Sequence, residues 1–192
     1  MDERRHTQRG FTLVEGMVTT MILAVVSVAV MQSLTSQWDF WETSMAQSDL
    51  RTAAERTIHE VSRELRSADR TAAEVPPSVS VPLAPNNTAM TFFLPTDQDG
   101  ANGILDAIGN VEWNVAAPIQ YQYDAPTRQL RRVQGAATTI IATDVQSVAF
   151  DDQQIDATLL ANEIRVRLTL QRTTSRQRVV TASAASVVRL RN

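Results

Sequence analysis

Glu15 is the residue of this chain that most needs a chemical account. It is the only charged side chain between Phe11 and Trp38, a run of 28 residues centred on the apolar stretch Met21–Met31. A carboxylate at the start of such a run is costly to desolvate unless an opposite charge meets it, so it reads as functional. No basic residue inside the run can reach it. Its partner must come from another chain or from a newly made terminus. A second group is Asp97, Asp99, Asn102 and Asp106, interleaved with Gly100 and Gly103. Clustered carboxylates and an amide on a glycine-rich loop suit a hard cation such as calcium. The spacing departs from an EF-hand loop, because Ala101 stands where the third oxygen ligand is due, and the plain alternative is an acidic, solvated loop. His59 has Arg63 at i+4 rather than a second ligand, which makes it a surface histidine.

Composition removes much other chemistry. The chain has 192 residues, no Cys and two His, so thiolate metal sites, disulfides and thiol nucleophiles are excluded, and little material is left for a multi-histidine centre. No Ser or Thr lies in a nucleophile elbow, and an enzyme is not expected. Its basic residues are all Arg, 18 against 21 acids, for a net charge of −3. Residues 97–156 hold nine acids and three Arg, whereas 163–192 hold seven Arg and one acid. The two regions, net −6 and net +6, suggest internal compensation. Arg165 and Arg167 alternate with apolar residues, and no aromatic side chains are interleaved for base stacking, which argues against nucleic-acid binding.

The elements that carry these groups follow from spacing. Gly16–Trp38 is uncharged and 23 residues long, roughly 35 Å as a helix, enough to cross a bilayer's hydrocarbon. No small-residue cleavage site of the A-x-A type follows Met31. Trp38, Phe40 and Trp41 suit the far interface, and Arg4, Arg5 and Arg9 set a cytoplasmic N-terminus with the rest outside. No Pro precedes Pro76, and apolar residues keep helical spacing at Leu34, Trp38, Trp41 and Met45, then at Ile58, Val61, Leu65 and Ala68. One helix from residue 11 to about 72 is expected. Its distal stripe docks on a domain while Glu55, Arg56, Glu60, Arg63 and Glu64 face solvent. Beyond it, alternation predicts strands at Val79–Leu83, Met90–Leu94, Val111–Val115, Ile119–Tyr123, Gln129–Val133, Thr139–Ala142, Val145–Phe150, Glu163–Gln171 and Arg178–Leu190. Asp124–Arg128 reads as the turn of a hairpin over 119–133.

The run Arg9-Gly10-Phe11-Thr12-Leu13-Val14-Glu15, directly ahead of an apolar helix, resembles the N-terminal signal of type IV pilins and type II secretion pseudopilins. The resemblance implies a leader, residues 1–10, cut after Gly10 by a prepilin peptidase, which methylates the exposed amine of Phe11. That leaves 182 of the 192 residues. It implies that Glu15 pairs with the terminal amine of a neighbouring subunit during assembly. It also implies an α+β fold: a long N-terminal helix, 11–72, spanning the membrane over 11–38 and packed on an antiparallel sheet in a periplasmic globular domain, 73–192. Calcium in loops of related pseudopilins makes Asp97, Asp99, Asn102 and Asp106 a candidate site by analogy.

Ile119–Asp124 through Leu130-Arg-Arg132, followed by Ile141–Val145 and Val148–Phe150, resembles the J-type minor pseudopilin and the PilW-like minor pilin. The expected role is that of a minor subunit of the inner membrane that helps initiate or cap a filament. Its partners would be other minor and major subunits, the peptidase and the assembly platform. The alternative is a tip-exposed binding module for DNA, a surface or a secreted substrate.

Overall fold

Thr12 opens the first element. Its hydroxyl accepts the Glu15 amide at 3.3 Å and its carbonyl accepts the Gly16 amide at 3.1 Å, an N-cap from which helix α1, Leu13–Leu65, proceeds. The computed structural model describes residues 12–68, 79–83, 85–97, 100, 103–105, 108 and 111–190. The chain divides into two units, Met1–Ser44 and Met45–Asn192. In the first unit the helix buries none of its large apolar side chains: Leu13, Met21, Leu23, Met31 and Trp38 are all well exposed. Such a surface is unsupportable in water, and hydrocarbon is the solvent that it fits.

The helix ends at Leu65, not near residue 72. The amides of Ser67 and Ala68 bond the carbonyls of Glu64 and Leu65 at 3.1 and 3.0 Å, and the Ser67 hydroxyl donates to the Glu64 carbonyl at 2.6 Å. This tighter turn, with a side chain competing for the backbone, stops the helix before the prolines do.

The second unit holds eight strands among the described residues. β1 (Val79–Ser80), β2 (Ala89–Phe92), β3 (Ile119–Asp124), β4 (Gln129–Gln134) and β5 (Ala137–Ala142) form one antiparallel sheet in that order. β6 (Val145–Asp151), β7 (Glu163–Thr173) and β8 (Val179–Arg189) form a second antiparallel sheet. The hairpin over 119–133 is β3 and β4, as its turn signal indicates. One strand fails to form: Val111 and Trp113 make only isolated bridges, to Leu105 and Pro95. Asn114 ends that run, because its side chain and carbonyl both accept the amide of Ala117 in a turn. The split into two sheets falls at Asp144, whose φ of +59° breaks the ladder between β5 and β6.

One guanidinium ties the sheets together. Arg128, itself at φ +52°, ends the β3–β4 turn and donates to the carbonyls of Gln171 at 2.6 Å, Val145 at 3.4 Å and Asp144 at 3.5 Å. The backbone repeats the connection: the Val145 amide bonds the Arg128 carbonyl at 2.9 Å, and the Gln171 amide bonds that of Asp144 at 2.7 Å.

Both sheets share one core with the distal half of α1. Leu50, Ala54, Ile58, Val61 and Leu65 are buried with Phe92, Tyr121, Phe150 and the inward residues of β7, namely Ile164, Val166, Leu168 and Leu170. Tyr121 stacks on Phe92 at 6.0 Å and lies 6.5 Å from Phe150. Glu64 corrects the expectation of a solvent-facing side chain. Half-buried, it accepts the Tyr121 hydroxyl at 2.8 Å and the Arg132 Nε at 3.0 Å, clamping the helix end to β3 and β4. Burial, then the neighbouring Glu64 carboxylate, push the Tyr121 phenol far above its usual range. At Arg132, burial pulls the guanidinium down, but its bond and attraction to Glu64 outweigh this and its pKa ends raised.

A raised phenol pKa stabilises the fold fully below the unfolded value near 10, and that contribution is lost as pH climbs toward the folded value. Denaturant stability should therefore fall as pH rises above about 10. Tyr121→Phe should remove this part of the fall while costing about 1 kcal/mol at neutral pH.

Candidate functional site

The first turn of α1 places Glu15 at the third helical position behind the Thr12 cap, with its side chain exposed. Thr12 and Glu15 stand at the spacing of a capping box, where a carboxylate near a helix N-terminus also meets the positive end of the backbone dipoles. That Thr-x-x-Glu signal is legible in the sequence. Further along, the hydroxyls that seem out of place in an apolar helix are satisfied internally. Thr19 donates to the Glu15 carbonyl at 2.7 Å, Thr20 to Met17 at 2.9 Å and Ser27 to Leu23 at 2.8 Å. With these bonds made, the helix presents little but apolar side chains to its surroundings, and the Glu15 carboxylate is its one ionisable group before Asp39. The helix is long and apolar enough to cross a membrane. Gly10 and Phe11 lie outside the described residues.

Residues 5–31 match a family described as the Prokaryotic N-terminal methylation motif. This is a prepilin-type signal. It is the signal of the type IV pilin and pseudopilin superfamily, whose processing is carried out by a prepilin peptidase, and the α+β architecture of the second unit agrees with a pilin-like fold. Single-span membrane anchoring fits both the signal and the apolar helix. No curated protein and no solved structure matches the chain.

The other candidate groups separate cleanly. Among Asp97, Asp99, Asn102 and Asp106, only Asp97 is described, and its Oδ1 accepts the Gly100 amide at 2.6 Å. The other three lie outside the described residues. Among the described residues no three His, Asp or Glu side chains gather as a metal site. His59 is exposed on α1, as expected. A groove of about 570 Å³ between α1 and β5 is edged by Asp49, Arg56, Glu60 and Arg172, an alternation of charge with no nucleophile–base pair.

The three arginines of β7 are engaged within the fold. Arg165 pairs with Asp156, Arg167 with Asp151 and Arg172 with Asp144. Each acid comes from 97–156 and each Arg from 163–192, so these three pairs link the −6 and +6 regions across β6, β7 and their turns. Asp156 is held below the usual carboxylate range, first by the hydroxyl and amide of Thr158 and then by Arg165. Asp151 is the buried member, its side chain 2% exposed; Asn87 Nδ2 donates to its Oδ1 at 2.8 Å, and Arg167 Nη2 approaches Oδ2 at 2.7 Å.

Arg167→Ala should leave that carboxylate buried with its counter-charge gone and destabilise the domain by roughly 1–3 kcal/mol. Asp151→Asn, added to that variant, should recover part of the loss, read as the midpoint of chemical unfolding.

Proposed function

We propose that the chain is a minor pilin or pseudopilin: a structural subunit, not an enzyme, that enters a pilus-like or secretion filament through its N-terminal helix and helps to initiate or cap it. The observation that carries this reading is Glu15, the one ionisable group of α1 before Asp39, inside the segment 5–31 that matches a prepilin signal. Cleavage after Gly10 makes Phe11 the terminal residue and creates an ammonium at the membrane face. The N-terminus is cytoplasmic, set by Arg4, Arg5 and Arg9, and the β-rich domain lies in the periplasm.

The assembly chemistry follows from desolvation. A lone carboxylate in hydrocarbon takes up a proton or draws in water, whereas opposite a neighbour's methylated amine it forms an ion pair whose two desolvation costs are offset together. The pair fixes the axial register of adjacent helices. A minor subunit is favoured by the likeness of 119–150 to J-type and PilW-like chains. The internal pairing of Arg165, Arg167 and Arg172 favours assembly over the alternative of DNA capture.

Mass spectrometry of the protein from cells with the peptidase should show an N-terminal methylated Phe11, and Gly10→Val should retain the ten-residue leader. An unprocessed terminus in those cells would remove the proposal. Glu15→Gln should insert and be cleaved normally. Its crosslinking to neighbouring subunits in membranes should collapse, because a neighbour's amine would be buried unpaired at a cost of roughly several kcal/mol.

A further inference from the structure

The four sheet edges differ in how they are guarded. β1 is only two residues long, the pairing of β5 with β4 carries a register shift at Leu130/Arg131, and that of β6 with β7 carries one between Val145 and Ser147. β8 is 11 residues long and pairs with β7 without a shift; no further strand lies beyond it among the described residues. Its ten residues Val179–Val188 contain no charge and no proline. Charge, proline, bulges and shortness are the usual means of keeping an edge from pairing with another chain, and β8 has none of them before Arg189 at its end.

We propose that β8 is a self-association edge, on which a second copy of this chain pairs its own β8 antiparallel about Ala184, joining two three-stranded sheets into one of six. Three observations select a second copy as the occupant. The strand is nearly palindromic about Ala184, with paired valines at each end and small residues between, and a two-fold interface requires such self-complementarity. The pleat is compatible: Val180 and Val188 face the core, Thr181 and Val187 face out, and this register sets each opposite its counterpart on the same face. Charge is compatible too, since Arg178 and Arg189 fall opposite Leu190 and Val179 of the other copy and no like charges meet head on.

The chain has no cysteine, so Ser183→Cys, on the exposed face of β8, gives a single thiol in the full-length protein in membranes. A short bis-maleimide should yield crosslinked dimer about tenfold above Thr138→Cys on β5, because diagonal neighbours across a strand pair lie within its reach. Adding Thr181→Lys and Val187→Lys opposes like charges across the seam and should reduce the yield to the β5 level. Mixing that chain with one carrying Thr181→Glu and Val187→Glu should restore it. Equal yields at residues 183 and 138, a yield unaffected by the lysines, or no restoration on mixing chains that show native circular dichroism would each overturn the proposal.

Discussion

The apolar stripe on the distal part of α1 is the surface on which the whole second unit depends. Among the described residues, eight strands in two separate sheets leave two inner faces to cover, and neither sheet closes on itself. Leu50, Ala54, Ile58, Val61 and Leu65 supply the third side of one shared core. A helix that buries a stripe this way gains far more from packing than from its own propensity. The Glu64 clamp adds direction, since Tyr121 and Arg132 accept only one axial position of the helix end against β3 and β4.

The same helix carries two sequence grammars. From Leu13 to Met31 it is apolar around its circumference apart from Glu15, with the hydroxyls of Thr19, Thr20 and Ser27 bonded back to its own carbonyls. From Met45 onward it has a buried stripe and a polar back. The change fits a change of solvent from hydrocarbon to water. Glu15 stands at the opening of the first section, where an unpaired charge is costly to desolvate, and the assembly role proposed for it uses that cost.

Much of this was legible in the residues. Alternation over Glu163–Leu170 assigns the buried and exposed sides of β7 correctly, because a period-two pattern has only one solution when one face is buried. The distal helical stripe and the hairpin over 119–133 are equally local. What escaped was non-local or was decided by single turns. Glu64 looks like one more solvated acid until β3 and β4 bring Tyr121 and Arg132 to it from 57 and 68 residues away. Val111–Val115 alternates like a strand, yet Asn114 captures the backbone first. The helix end at Leu65 was masked by the more conspicuous prolines downstream. For the site, the prepilin signal and the Thr12–Glu15 capping spacing were both legible in the sequence, while the bond that makes Thr12 the cap needed the geometry of the first turn.

Arg128 has a further consequence for how the domain opens. Its guanidinium and carbonyl tie together the β3–β4 turn, the Asp144 corner and the last residues of β7, so both sheets share one knot at the point where the ladder is broken. Two sheets with independent ladders would ordinarily be free to unzip as separate units. Here neither can peel away without releasing the same group of carbonyls, which makes the pair a single cooperative block whose amides exchange with solvent through a common opening.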